Sequence, residues 1–284
     1  MSIQQARKFS VAPMMDWTDR HCRLFHRHLS RHALLFTEMV TSAALIRGGA
    51  DWLLNYNDDV EHPIAVQLGG SDPKELAAAT KLCDQFGYDE INLNVGCPSD
   101  RVQSGRFGAC LMAEPALVAE CVRAMRDATD TPVTVKCRIG IDDQDSEEDL
   151  RTFVDHMLEA KVDALYVHAR KAWLKGLSPK QNREVPPLDY ERVYRLKNHV
   201  GDLPLMINGG IEDLAQSKAH LQHVDGVMLG RAAYHNPGLL WGVDAEIFGD
   251  DTPPISLESL CEVMTNYAEI QMTKGARLNQ IVRH

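Results

Sequence analysis

EINLNVGCPSDRVQSGRFGAC, residues 90–110, joins a short β-favouring run, Ile91–Val95, to an abrupt Gly96-Cys97-Pro98 turn and a polar loop carrying Arg101 and Arg106. Gly96 permits a turn that a residue with a Cβ would resist, and Pro98 fixes the next φ. A single thiol is thereby held on a stiff support at a strand end, where an acid or nucleophile would be placed. The stretch alone fits equally well a small, half-buried structural cysteine.

Outward from this strand the same pattern recurs. β-rich runs fall at Phe9–Ala12, Leu34–Thr37, Ile64–Leu68, Ile91–Val95, Val133–Arg138, Ala164–His168, Leu205–Asn208 and Val227–Leu229. Several (IAVQL, VTVK, ALYVH, GVML) are apolar nearly throughout, as parallel strands covered on both faces must be. Helical patterns lie between them. Pro73 opens KELAAATKLCDQF, Pro115 opens ALVAECVRAMRDAT, and Asp145-Ser146 precedes the acid-led EEDLRTFVDHMLEA. Eight strand–helix units predict an α/β fold, a (β/α)8 TIM barrel over residues 1–248, with its chemistry at the C-terminal strand ends. Tyr234–Ile247 reads as a closing helix and GDDTPP as a linker. Ser259–Glu262 has capping-box spacing, and ARLNQIVRH repeats apolar residues up to His284, so residues 249–284 are expected to begin an incomplete C-terminal helical domain.

Composition sets limits. The 284 residues suit one large domain, and a net charge of -10 argues against a general nucleic-acid coat while leaving room for a local basic path. The N-terminal MSIQQARKFS lacks the apolar core of a signal peptide and no window approaches a membrane span. The seven cysteines form no Cys-x-x-Cys pair. A reducing cytoplasm is therefore expected, with no disulfide framework and no metal site.

At the predicted mouth, Asn208-Gly209-Gly210 follows the seventh strand and Gly230-Arg231 the eighth, the usual phosphate pocket of such barrels. Tight turns alone would also use these glycines. Alternation turns Thr134 and Lys136 inward, where a lysine either forms a Schiff base or sits as a fixed cation beside an anionic ring. Gln67 and Asn94 offer the paired donors and acceptors an amide-like ring edge wants. His168 fits a phosphate, a ring or a satisfied core position, and Pro13-Met14-Met15 offers backbone groups and soft apolar surface. Trp17 and Trp173 are candidates for base stacking, or ordinary core or surface residues. Arg170, Lys171, Lys175, Lys180 and Arg183 gather after the sixth strand, as a solvated face or as a track for a phosphate backbone.

Taken together, APMMDWTDRHCR, TEMV, VQLGGSDP, INLNVGCPSDRV with GRFGACLM, VKCRIGIDD, VHARKAWLKGLSP, INGGI and VMLGRAAYHNP resemble the tRNA-dihydrouridine synthases over nearly the whole chain, and ARKAWLKGLSPKQNRE resembles their A-type subfamily. The resemblance implies a monomeric, NADPH-dependent oxidoreductase with bound FMN that reduces uridines 20 and 20a of the tRNA D-loop. Carried over by position, it places FMN on Pro13, Met14, Met15, Gln67, Lys136, His168, Asn208, Gly209, Gly210, Gly230 and Arg231. It makes Cys97 the proton donor, puts Asn94 near the base, and gives Lys180 and Arg183 the tRNA. An ordinary thiol is mostly protonated at neutral pH, as a proton donor must be. The rivals are a Schiff-base aldolase built on Lys136, a non-catalytic RNA-binding barrel, and a flavin reductase of the dihydroorotate type.

Overall fold

The apolar runs bury both faces of eight strands: β1 (Phe9–Val11), β2 (Leu34–Thr41), β3 (Ile64–Gly69), β4 (Glu90–Val95), β5 (Val133–Arg138), β6 (Ala164–His168), β7 (Leu205–Asn208) and β8 (Gly226–Leu229). In the computed structural model, which describes residues 1–284, these form one closed parallel barrel in sequence order, with Phe9 opposite Val227 where β1 meets β8. The expected (β/α)8 barrel is the observed fold.

The main core lies between barrel and helices, where 55 buried residues form one apolar cluster; the barrel interior holds only nine, including Phe36, Tyr166, Met206 and Met228. Closing the barrel therefore relies on outward-facing side chains, and the interior is free to be polar on one side. Helices Pro73–Gln85 and Pro115–Arg126 start at their prolines, and Glu147–Glu159 starts on a Ser146–Asp149 capping box.

Among the boundaries that differ from the sequence reading, three have a clear physical cause. Strand β2 runs on to Thr41, because after a register shift between Phe36 and Met39 the chain pairs again, Met39 with Gln67 and Thr41 with Gly69. The closing helix expected over Tyr234–Ile247 is broken into Arg231–His235, a 3-10 stretch Pro237–Gly242 and Val243–Phe248. Pro237 is the cause: it has no N–H to continue the first helix and is suited to start the next. The last long helix, Leu257–Thr273, is capped by Ser256, whose hydroxyl accepts from Ser259 N at 3.1 Å, so the cap lies three residues before the predicted box. This helix is tied to helix Arg20–Leu29 by Tyr267 and His21 (2.7 Å) and by Arg20 donating to Gln271 (2.9 Å).

Candidate active site

A cavity of about 880 Å³ opens at the C-terminal ends of the strands, a size that suits a cofactor with room beside it. Of the predicted site residues, Pro13, Met14, Met15, Gln67, Asn94, Cys97, Lys136, His168, Asn208, Gly209, Gly210, Arg183, Gly230 and Arg231 line it, and Lys180 does not. Lys180 is exposed at the start of the 3-10 turn Gln181–Arg183.

After β1, Thr18 closes the Pro13–Met15 loop: its hydroxyl accepts from Met14 N (3.0 Å) and donates to Met14 O (3.2 Å). Asp16 takes the left-handed conformation, φ 64°, and its N–H donates to Glu38 at 2.6 Å. Glu38 thus holds a strained turn beneath the exposed Met15. Trp17 lines the same wall, but one face is already stacked on Tyr234 at 4.3 Å. Trp173 lies under the Lys171 ammonium, 4.2 Å from the ring centroid, and is no free platform either.

On β4 the Asn94 side chain accepts from Gly96 N (3.1 Å) and Cys97 N (3.0 Å), folding the turn back over the strand end. The half-buried Cys97 faces the cavity with Sγ 3.5 Å from Ser99 Oγ. Across it stands Lys136, whose Nζ donates to Asn208 Oδ1 at 3.1 Å. Burial, reinforced by the neighbouring Arg138, pulls the Lys136 ammonium down to about 8. Burial and the surrounding cations Arg138, Lys136 and Arg170 also hold His168 well below its ordinary range. The imidazole is therefore neutral at pH 7, and its buried Nδ1 has no partner.

Gly209 and Gly210 follow β7 with φ of 114° and 70°. A Cβ on Gly209 would stand 2.8 Å from His168, and one on Gly210 2.5 Å from Leu188, so backbone is all this turn can carry. Tyr190 donates to Gly209 O at 2.8 Å and fixes the turn from behind. Gly230 is different, since a Cβ there would meet nothing closer than 3.6 Å. The Arg231 guanidinium is engaged by Glu184 Oε1 at 2.7 Å.

Sequence reasoning left Arg138 out of the site although it named it at a strand end. It is buried, lines the cavity, and donates to Gly96 O (2.9 Å), Lys171 O (3.1 Å) and Asn182 O (3.1 Å). One guanidinium so ties the Cys97 turn to the basic loop after β6. The available signal was its spacing of two from Lys136, which puts both on the inner face.

A flavin fits this donor set: a cation beside the pocket floor, fixed amides on one wall, a neutral imidazole, and a turn with no side chains. Comparison with known proteins agrees. The family model described as "Dihydrouridine synthase (Dus)" matches residues 10–284. A tRNA-dihydrouridine(20/20a) synthase of Vibrio parahaemolyticus is 59% identical over 278 residues, covering 98% of this chain and 85% of that protein. The proteins of the same name from Yersinia pestis and Escherichia coli are 58% and 57% identical, covering 98% and 100% of this chain and 80% and 85% of their own lengths.

Proposed function

Because the chain belongs to the dihydrouridine synthase family, which is flavin-dependent, we propose that it reduces the C5=C6 bond of uridines 20 and 20a in the tRNA D-loop, with FMN bound and NADPH as transient reductant. The observation that carries this reading is the convergence of the Cys97 thiol, the Lys136 ammonium and the His168 imidazole on one cavity at the strand ends.

In this reading Pro13–Met15, Gln67, Lys136, His168 and Asn208–Gly210 hold the flavin, with Gly230 and Arg231 at its phosphate. When bound, the flavin supplies a hydride to uracil C6. Cys97 gives its proton to C5, and the thiolate left behind is reprotonated from solvent. Lys136 stabilises negative charge at the pyrimidine edge of the ring, and neutral His168 offers a hydrogen bond without adding charge. Asn94 faces the base. The uridine must leave its stack to reach this depth, and Arg183, with Lys180 outside the cavity, meets the phosphates around it. No helix is long and apolar enough to cross a membrane. A monomer working in the cytoplasm, with residues 249–284 as a tRNA-binding helical segment, completes the reading.

The test is direct. Purified protein should be yellow, consume NADPH, and convert an unmodified tRNA transcript, with the hydrogenated uridines located at 20 and 20a by mass spectrometry. Colourless protein that leaves the transcript unchanged refutes the proposal; sugar-phosphate trapping by borohydride would favour the aldolase.

The Arg231–Glu184 pair makes a second expectation. Glu184 competes with a phosphate for the guanidinium fork, and both side chains are partly exposed. Glu184→Gln should slow FMN release by about two- to fivefold, the scale of a surface ion pair, whereas Arg231→Ala should hasten it. Equal release rates in all three proteins would remove Arg231 from the phosphate site.

A further inference from the structure

A file of hydrogen-bonded side chains runs up the inside of the barrel from floor to mouth. At the floor Arg7 donates to Glu90 Oε2 at 2.7 Å, and Thr134 Oγ1 donates to Glu90 Oε1 at 2.6 Å. Above them Asn92 Nδ2 donates to Thr134 Oγ1 (2.9 Å), Gln67 Nε2 to Asn92 Oδ1 (2.8 Å), and Asn94 Nδ2 to Gln67 Oε1 (2.8 Å). The top link is Asn94 Oδ1, which accepts from Gly96 N and Cys97 N.

The direction of every link is forced. A carboxylate paired with a guanidinium only accepts, so the single hydroxyl hydrogen of Thr134 must point at Glu90. Thr134 can then only accept from Asn92, which puts the Asn92 amide nitrogen below and its oxygen above. The same reasoning turns Gln67 and then Asn94. The top end demands the same sense, because two backbone N–H groups require the Asn94 oxygen. Flipping any one amide sets donor against donor or acceptor against acceptor, in a place where Glu90, Asn92 and Thr134 are fully buried and such a clash is costly.

We infer that Glu90 and Thr134, on the barrel floor and outside the cavity lining, are positioning residues that fix the donor sense of the Gln67 and Asn94 amides and, through Asn94, the backbone of Cys97. Asn94 Oδ1 accepts twice and is saturated, so Asn94 has one N–H left for a ligand, while Gln67, whose Oε1 accepts once, keeps one N–H and one lone pair. At Asn94 the wall therefore offers a donor and no acceptor, which favours a ring carbonyl oxygen over an amino group and so uracil over cytosine. The selectivity rests on the proposed function; the forced direction of the file does not.

Thr134→Val removes the hydroxyl at nearly constant shape, and Thr134→Ser keeps it. In Thr134→Val the lowest amide loses its fixed partner, so flipped states of the file become accessible and the Asn94 oxygen leaves the turn part of the time. Hydrogen exchange of the Gly96 and Cys97 amides is expected to quicken about tenfold, the scale of one buried hydrogen bond, both in the purified holoprotein and after flavin removal. FMN release should quicken in parallel. Thr134→Ser should match the parent chain in both, while circular dichroism shows all three folded. Exchange in Thr134→Val as slow as in the parent overturns the inference, and so does Thr134→Ser exchanging as fast as Thr134→Val, which would mean packing alone. A parent chain that holds no flavin, with Thr134→Val still exchanging faster, removes the flavin reading and leaves the file standing.

Discussion

A Cys97→Ala protein is expected to remain yellow and to oxidise NADPH at the parent rate, yet to reduce uridine roughly a hundredfold to ten-thousandfold more slowly, the usual worth of a positioned general acid. The turn that carries the thiol does not depend on it. Asn94 holds the Cys97 N–H and the Arg138 guanidinium holds Gly96 O, so alanine leaves the backbone where it is. No other thiol can substitute. Cys22, Cys83, Cys121 and Cys137 are buried away from the cavity, the last pushed by burial up to about 12; Cys110 is turned to Phe107 O and Cys261 lies exposed on the last long helix. Rapid-mixing absorbance separates the two half-reactions, since flavin reduction by NADPH needs no proton at uracil C5. Unchanged uridine turnover in this variant would return Cys97 to the role of a half-buried structural residue.

The barrel was legible because its signal is repeated: runs such as IAVQL and ALYVH recur between capped helices, and each confirms the phase of the next. The site was legible at strand ends for the same reason, since the fold rule assigns every last strand residue to one mouth. What escaped the sequence depends on neighbours far along the chain. The end of β2 is interrupted by Glu38, and Glu38–Thr41 count as strand only because Gln67–Gly69 lie alongside after the register shift. Asn92 and Thr134 look like isolated polar residues in apolar strands. They become a file because register puts Gln67 beside Asn92 and Asn92 beside Thr134. The grip of Glu184 on Arg231 joins loops 47 residues apart in sequence, and no spacing rule foretells it.

Lys136→Met should move stability and flavin binding in opposite directions. A lysine held at about 8 instead of its ordinary 10.5 carries a charge the fold would sooner shed, which at neutral pH costs on the order of 1–3 kcal/mol. Methionine has similar length, no charge, and loses only the hydrogen bond to Asn208. The flavin-free variant should therefore melt several degrees higher than the parent, whereas its FMN should be largely lost on purification, because the anionic edge of the ring no longer meets a cation. The pH dependence gives the sign. In the flavin-free parent Lys136 is charged below pH 8 and neutral above it, so a ligand that needs the ammonium must bind together with a proton once the pH exceeds 8. FMN affinity should fall as pH rises from 7 to about 9.5, approaching tenfold per unit at the upper end, and Lys136→Met should show no such slope. A Schiff-base lysine would carry the same depressed value, but its loss would leave FMN affinity and that slope unchanged. Titrations of FMN fluorescence against parent and variant across this range decide the matter. A variant that keeps its flavin and the parent's pH slope would show that Lys136 is not the cation on which FMN binding depends.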